Sequence, residues 1–572
     1  MPLAKHLATL ARRLALPRLP LSTLDEVRGQ LENWLLPVAG PEKTQAFLAA
    51  WDARKPDLEA AHAKLQELYA QSAAQNTSWI EALWLNSYLA EDRITTNYFF
   101  ALPTSGNGSG LDKAAHLVSR LIDLRHRMVQ APLEPKILGP VTYCRDLTQE
   151  HLFAHRLPGK GQDRVQQNLK SPHFCVLSRG HVFKVSIEDA TTPEALKQQL
   201  LAIDGETADK TPATNGYYFH LPRTEWWPLR DSLLTSKHGP ALQTMESALF
   251  WVCLDDTPGD ASQWLAGPTA NRCPRAALSL LVHPNGVAVN VEHSGLDGLS
   301  TKLVVGELCA TPMDVVSESS TPTALSPITL PDPLDVPADA QPLTLETLTL
   351  NLPPTSRELT ADACLQLAYA LALGKHQLEN GTGLDTLGSI YESVTTQHFH
   401  HGRTEGLRTV TPEVLSFVTT WLSDSSTDTE KTDCLTSALS SLKARLQTCK
   451  EAKGITRPLF GLGQVAPALA DLLAHPALQA LNTDVLSTSN CTGVPQFGFR
   501  PTNPSCVGIG YTVADNKTAT LTFSAYPEGT PLLQTLVRRL QGFLDEIGRL
   551  RQVSPSFSPD GASPSVAANL PA

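Results

Sequence analysis

Residues 275–298 read RAALSLLVHPNGVAVNVEHSGLDG, and they carry the clearest structural signal in this chain. Ala276–Val282 is apolar enough to form a buried strand. Pro284-Asn285-Gly286 is a turn sequence, and Val287–Val291 predicts the returning strand. The stretch therefore predicts a β-hairpin that places His293 at the exit of a core strand.

His293 lies close in sequence to two carboxylates, Glu292 and Asp297. A histidine at a strand exit, with a carboxylate to orient it, suits a general base held in a single pose. The other interpretation is a strand-end histidine that makes one structural hydrogen bond, since a lone histidine meets only one requirement of an active site. The residues of this stretch leave both interpretations open.

The composition is that of an ordinary globular protein, with 572 residues of which 42% are hydrophobic and 18% charged. This length predicts two large domains. The net charge of -11 argues against a nucleic-acid partner, although a local basic pocket for a phosphorylated co-substrate is compatible with it. The ten cysteines form no CxxC pair and no zinc-like spacing, which predicts free thiols in a reducing compartment. No apolar run approaches the roughly 20 residues of a membrane span, so any membrane contact would be peripheral.

The chain divides into six segments by composition and periodicity. Residues 1–20 are basic and contain no acid, which indicates either a mitochondrial presequence or a basic first helix of the fold. Residues 311–354 are rich in Pro, Ser and Thr and predict a linker, and residues 553–572 predict a disordered tail. Between these we expect N-terminal helices at 21–90 that pack with the second domain, a first domain at 91–310 and a second domain at 355–552.

Several short motifs occur in a fixed order along the chain. Each alone is short enough to arise by chance, but together with the stretch around His293 they resemble the choline/carnitine acyltransferase family over residues 16–550. The resemblance implies an α/β fold of two similarly built domains, each a mixed β-sheet flanked by helices as in chloramphenicol acetyltransferase, with an active-site tunnel at their interface. Periodicity alone supports only a mixed α/β class. The motifs are Leu16-Pro17-Arg18-Leu19-Pro20, Arg156-Leu157-Pro158-Gly159, Tyr391-Glu392-Ser393, Gly402-Arg403-Thr404-Glu405 and Ser487-Thr488-Ser489.

The resemblance implies a carnitine O-acyltransferase of fatty-acid and lipid metabolism, which moves an acyl group reversibly between coenzyme A and carnitine. His293 would be the general base, Ser489 would stabilise the oxyanion, and Asp297 would hold the local structure. Acyl-coenzyme A is then a co-substrate, and no permanently bound cofactor or metal is implied. Carnitine would be positioned by Tyr391, Thr404, Arg457 and Ser487.

Arg457 and Thr404 match residues of the carnitine-specific members. A guanidinium binds the carboxylate of carnitine through two charge-assisted hydrogen bonds, whereas choline has no carboxylate. Choline acetyltransferase is therefore the alternative enzyme, although an arginine taken alone is more often a surface charge. The overall sequence of the motifs favours medium- to long-chain acyl groups. Phe497, in contrast, falls where short-chain members have a bulky residue.

The resemblance weakens where coenzyme A is expected to bind. Family members usually carry lysines there, but this chain offers only Arg357 and Asp362 as candidate coenzyme A-binding residues. Glu358, next to Arg357, would repel the phosphates. A second alternative is therefore a catalytically impaired binding protein with the same fold. We expect a monomer located in mitochondria, with peroxisomes or the cytoplasm as the alternatives.

Overall fold

The computed structural model describes residues 16–189, 192–317, 325, 327–331, 342–356 and 359–553. Most of the expected presequence therefore lies outside the described residues. The same is true of the candidate residue Arg357, of its neighbour Glu358 and of the expected tail from residue 554.

Helices are present along the whole described chain and flank the strands on both sides. They are α1 Leu24–Ala39, α2 Pro41–Ala53, α3 Lys55–Gln75, α4 Glu81–Ala90, α5 Gly110–Gln130, α6 Asp146–His151, α7 Pro193–Ala208, α8 Arg223–Thr235, α9 Gly239–Glu246, α10 Ala261–Ala266, α11 Gly298–Leu308, α12 Ala361–Glu379, α13 Pro412–Trp421, α14 Asp428–Lys450, α15 Thr456–Val465, α16 Ala470–Leu473, α17 Pro476–Asn482 and α18 Thr530–Val553.

The strands of the described residues form two large sheets and two small ribbons. They are β1 Tyr98–Ala101, β2 Lys136–Leu138, β3 Val141–Tyr143, β4 Ala154–Leu157, β5 Arg164–Gln167, β6 His173–Ser178, β7 His181–Ser186, β8 Trp251–Leu254, β9 Leu278–His283, β10 Gly286–Val291, β11 Pro327–Ile328, β12 Thr344–Asn351, β13 Ser389–Thr395, β14 Thr404–Arg408, β15 Asp484–Asn490, β16 Gln496–Phe499, β17 Val507–Ala514 and β18 Thr518–Ala525.

The first sheet is eight-stranded and mixed, in the order β11-β7-β6-β8-β9-β10-β1-β16. Its β6, β8 and β9 are parallel neighbours. The predicted hairpin is confirmed, because β9 and β10 pair antiparallel with His283 opposite Gly286. Strand β16 comes from the far end of the chain and closes the edge beside β1. The first sheet is thus completed by a segment that we assigned to the second domain.

The second sheet is six-stranded and mixed, in the order β12-β18-β17-β15-β13-β14. Strand β15 lies near its centre and runs parallel to both β13 and β17. Strand β12 lies within the segment 311–354 that we expected to be a linker. Alternating leucine and threonine side chains make Thr344–Asn351 a good edge strand, and Leu350 is buried against the core.

The N-terminal helices pack against the second sheet. Leu31 and Trp51 belong to the same buried cluster as Leu371 of α12 and Leu486 of β15. A separate buried cluster covers one face of the first sheet. Two sheets, each with its own core and flanked by helices, confirm the predicted α/β class.

Three further features complete the fold. Helix α14 begins at Asp428, where Thr427 and Glu430 form a capping box. None of the described helices is both long enough and apolar enough to cross a bilayer. The ten cysteines all lie in the described residues and are unpaired, as predicted.

Replacing Leu31 by alanine tests the packing of α1 on the second core. Leu31 is fully buried, so Leu31→Ala is expected to lower the free energy of unfolding by about 2–5 kcal/mol, the usual cost of removing a buried leucine side chain. Leu378→Ala on α12 is the matched control, because 41% of Leu378 is exposed, and it is expected to cost less than about 1 kcal/mol. Urea unfolding followed by tryptophan fluorescence measures both variants. Equal, small losses would contradict the packing of α1.

Candidate active site

His293 lies in the short loop between β10 and α11, with 29% of its side chain exposed. Its Nδ1 is 2.8 Å from the carbonyl oxygen of Leu296. A carbonyl oxygen can only accept, so Nδ1 carries the proton and donates it in this bond. This bond selects the tautomer of the neutral imidazole whose lone pair is on Nε2, which is the form that a general base requires.

Two tyrosines enclose the imidazole of His293. The ring of Tyr98 lies edge-on to it, with the centroids 5.1 Å apart, and the ring of Tyr88 is 5.5 Å away. Burial raises the pKa of both phenols, so both stay protonated at neutral pH. These contacts hold the imidazole in place from two sides without adding a charge next to it.

Asp297 does not orient His293 through a hydrogen bond, contrary to the first interpretation of the sequence. Its Oδ1 is 3.8 Å from His293 Nδ1, and the orienting acceptor is instead the Leu296 carbonyl. Asp297 binds Arg403, which donates from Nε at 2.7 Å and from Nη2 at 3.0 Å. Burial alone would raise the pKa of Asp297, but the charge of Arg403 outweighs this and the pKa is lowered. Arg403 also donates to the carbonyl of Ser294, so the ion pair fixes the whole loop.

Glu292, the other neighbouring carboxylate, points away from His293. It accepts a hydrogen bond from Arg156 Nη1 at 3.1 Å and from the hydroxyl of Ser294 at 2.5 Å. Arg156 in turn binds the buried Asp163 at 2.7 Å. Glu292 therefore stabilises the strand exit and does not contact the imidazole.

A cavity of about 330 Å³ brings seven of the predicted site residues together. Ser487 and Ser489 are two residues apart on β15, so both side chains lie on the same face of that strand. Tyr391 comes from the neighbouring β13, and its ring lies 5.2 Å from the guanidinium of Arg408. The predicted residues that line this catalytic cavity are His293, Asp297, Tyr391, Thr404, Arg457, Ser487 and Ser489.

Arg457 is held at one wall of the catalytic cavity. Its Nε donates to the Thr404 carbonyl at 2.5 Å and its Nη2 to the Thr404 hydroxyl at 3.0 Å. Its guanidinium also lies 3.9 Å from the ring of Trp84, a cation–π contact. These bonds leave Nη1 free of any partner within the described residues, so Arg457 presents a fixed positive charge to the cavity.

Trp84 and Tyr88 line the same cavity, and the sequence analysis did not identify them as site residues. Both lie on α4, and their spacing of four residues places them on one face of the helix. That spacing is the only signal the sequence gives. Aromatic residues packed in a core show the same spacing, so the spacing could not distinguish site residues from core residues.

A larger cavity of about 910 Å³ lies on the other side of Ser393, which lines both spaces. Asp362 lines it as well, but its carboxylate already accepts hydrogen bonds from Tyr511 at 2.5 Å and from Asn490 at 3.1 Å. The positively charged residues that line this cavity within the described chain are Arg18, Lys450 and Lys453. Lys453 pairs with Glu451 at 3.0 Å. Lys450 has no ion-pair partner among the residues that the structure describes.

Side chains of types that commonly bind metal ions also cluster outside these cavities, around Asp146. His400 Nε2 lies 3.1 Å from Asp146 Oδ2, and His401 lies 2.6 Å from Glu81. Burial alone would lower the pKa of His401, but its hydrogen bonds to Asp146 and Glu81 raise that pKa to about 10. His401 is therefore held as a cation between Asp146 and Glu81, and these contacts account for the cluster without an added ligand.

The chain matches the family model described as choline/carnitine O-acyltransferase over residues 19–344 and 339–541. Carnitine O-palmitoyltransferase 2, mitochondrial, of Homo sapiens is 26% identical, and the alignment covers 93% of this chain and 92% of that protein. Carnitine O-acetyltransferase, mitochondrial, of Saccharomyces cerevisiae is 23% identical over 88% of this chain and 83% of that protein. The family predicted from the motifs is confirmed: this chain is an acyltransferase and belongs to the choline/carnitine O-acyltransferase family.

Proposed function

We propose that this protein is a carnitine O-acyltransferase, which moves an acyl group reversibly between coenzyme A and carnitine. The observation that carries the proposal is the imidazole of His293, whose Nδ1 is bound to the Leu296 carbonyl, in a cavity that also holds the guanidinium of Arg457. The imidazole supplies a base and the guanidinium supplies a partner for a carboxylate. Carnitine carries a hydroxyl and a carboxylate in one small molecule.

In the proposed reaction, His293 Nε2 takes the proton from the hydroxyl of carnitine. The resulting oxygen nucleophile attacks the thioester carbon of acyl-coenzyme A, and a tetrahedral intermediate forms. Its collapse breaks the C–S bond and leaves the new C–O ester bond, while the imidazolium returns the proton to the departing thiolate. The hydroxyl of Ser489 lines the same cavity and would donate to the negative oxygen of the intermediate.

Replacing His293 by alanine tests the proposed base. His293→Ala is expected to lower kcat for acetyl transfer to carnitine by about 10²–10⁴-fold, the usual contribution of a general base. His126→Ala is the control, because His126 lies exposed on α5 away from both cavities and is expected to leave the rate unchanged. Release of free coenzyme A from acetyl-coenzyme A measures the rate. Full activity of His293→Ala would rule out its role as the base.

The choice of carnitine over choline is proposed to depend on Arg457. Its side chain is fixed by Thr404 and Trp84, so little conformational entropy is lost when it binds a carboxylate. Choline has no carboxylate to form a charge-assisted bond with this guanidinium. The position of Arg457 therefore favours the carnitine enzyme over the choline alternative.

Arg457→Gln tests this choice. The variant is expected to raise KM for carnitine by about 10–100-fold, because it removes a charge-assisted bond to the carboxylate. Choline serves as the internal control: any basal turnover of choline should be unaffected, since choline lacks the carboxylate. Steady-state kinetics with both acceptors give the result. An equal loss for carnitine and choline would assign Arg457 a purely structural role.

Coenzyme A is proposed to occupy the larger cavity, with its thioester reaching the catalytic cavity past Ser393. The lysines that family members usually carry before Asp362 are absent here. Lys450, at the C-terminal end of α14, together with Lys453 and Arg18, places positive charge in the same cavity from other elements. Asp362, Glu392 and Glu451 line the cavity too, and Lys453 is paired with Glu451, so the charge available to a phosphate comes from Arg18 and Lys450, which have no ion-pair partner within the described residues. These two charges support phosphate binding, and they favour a working enzyme over the catalytically impaired binding protein.

Lys450→Glu tests this placement. Reversing the charge is expected to raise KM for acetyl-coenzyme A by about tenfold at low salt, with a smaller effect at high ionic strength because salt screens the repulsion. Lys443→Glu is the matched control, since it makes the same charge change on the same helix at a residue that does not line the cavity. If both variants behave alike, the effect comes from net charge and coenzyme A lies elsewhere.

The acyl group is proposed to be short, which departs from the medium- to long-chain preference suggested by the sequence. Phe497 of β16 is only 5% exposed, and its ring lies 5.0 Å from Phe100 and 6.1 Å from Tyr98. These aromatic rings fill the space beside His293 that a long alkyl chain would need.

A mitochondrial location is proposed from the basic residues 1–20 and from the names of the relatives.

A further inference from the structure

A third cavity, of about 440 Å³, shares Arg500 with the catalytic cavity. Arg500 directly follows β16 and is half-buried. Within the described residues, its guanidinium has no ion-pair partner and makes no hydrogen bond. A positive charge that is partly withdrawn from water and unpaired is costly unless an anion binds to it.

The third cavity is polar and is lined by no acidic residue of the described chain. Its other arginine, Arg272, is already neutralised by Asp255 at 2.9 Å. His220 also lines it, and the pKa of His220 is lowered to about 3 by burial and by the charges of Arg500 and Arg272. His220 is therefore neutral at physiological pH and Arg500 contributes the uncompensated charge. The cavity attracts an anion and repels a cation.

The catalytic cavity leads from His293 towards Arg500. On the side of β1, Phe497 and the aromatic rings around it leave no apolar tunnel. Phe499, Pro501 and Thr502, the chain neighbours of Arg500, line the cavity with it, and the carboxylate of Asp484 in the same lining is already paired with Arg408. An acyl chain that extends through this cavity from a thioester carbon beside His293 would therefore reach the guanidinium of Arg500.

We propose that the acyl group transferred by this protein ends in a carboxylate, and that Arg500 binds this carboxylate where the two cavities meet. This inference rests on the proposed acyl transfer and specifies its donor, the coenzyme A thioester of a short dicarboxylic acid. The bonds that break and form are those of the transfer itself, and the terminal carboxylate does not react. The carboxylate of carnitine binds separately, at Arg457.

Two acyl donors of equal chain length test the proposal, namely glutaryl-coenzyme A, which ends in a carboxylate, and pentanoyl-coenzyme A, which ends in a methyl group. The wild type is expected to show a higher kcat/KM with the glutaryl donor. Arg500→Gln is expected to lower kcat/KM for the glutaryl donor by about 10–100-fold and to change that for the pentanoyl donor by less than about threefold. Arg164→Gln is the control, because Arg164 is exposed on β5 and lines none of these cavities.

Three results would overturn the inference. Equal losses with both donors would make Arg500 a structural residue. A higher KM for carnitine with both donors would show that Arg500 binds the carboxylate of carnitine. A wild type that transfers acetyl and pentanoyl groups but discriminates against the glutaryl group would refute the dicarboxylic donor while leaving the proposed function intact.

Calorimetry without carnitine separates this inference from the proposed function. If no donor supports transfer to carnitine, the proposed function fails, and binding still decides the inference. The wild type is expected to bind glutaryl-coenzyme A about tenfold or more tightly than pentanoyl-coenzyme A, and Arg500→Gln is expected to bind both equally. Equal dissociation constants in the wild type would contradict a carboxylate site at Arg500.

Discussion

The buried ion pair between Asp297 and Arg403 is the interaction on which the site depends. Asp297 lies at the start of α11, which follows β10 of the first sheet in the chain, and Arg403 directly precedes β14 of the second sheet. Because Arg403 also binds the Ser294 carbonyl, one side chain holds the His293 loop and joins the two sheets. Removing one partner of such a pair leaves a buried charge uncompensated, which typically costs about 3–5 kcal/mol. The same ion pair therefore fixes both the contact between the two sheets and the pose of the imidazole.

Electrostatics distinguish the cavities from the rest of the molecule. The chain carries a net charge of -11, yet Arg457, Arg500 and Lys450 each present a positive charge to a cavity. Arg457 and Arg500 are half-buried, so solvent screens them less than it screens the exposed Lys450, and they attract anionic substrates more strongly. The proposed substrates fit this pattern, since coenzyme A carries phosphates and carnitine carries a carboxylate. The missing lysines before Asp362 therefore do not leave the larger cavity without positive charge.

Local patterns predicted much of the fold. The hairpin of β9 and β10 was predictable because the turn residues and the apolar runs lie next to each other in sequence. Strand β12 was missed because its alternating leucines and threonines lie in a segment whose overall composition resembles a linker. Trp84 and Tyr88 were missed as site residues because aromatic side chains spaced by four on a helix also occur in any core. The seven candidate residues that line the catalytic cavity were named from their motifs, and their roles are proposals.

The sequence by itself determined the class of the fold, the family and the residue types available for chemistry, because these depend on periodicity and on the order of short motifs. Tertiary structure decided what those residues contact. Every residue has a carbonyl, so no pattern could show that Leu296 would orient His293. Only the pairing of β16 with β1, about 400 positions away in sequence, places Phe497 beside the catalytic cavity and carries Arg500 to its wall. Such contacts join segments far apart in the chain, and packing of the whole molecule fixes them.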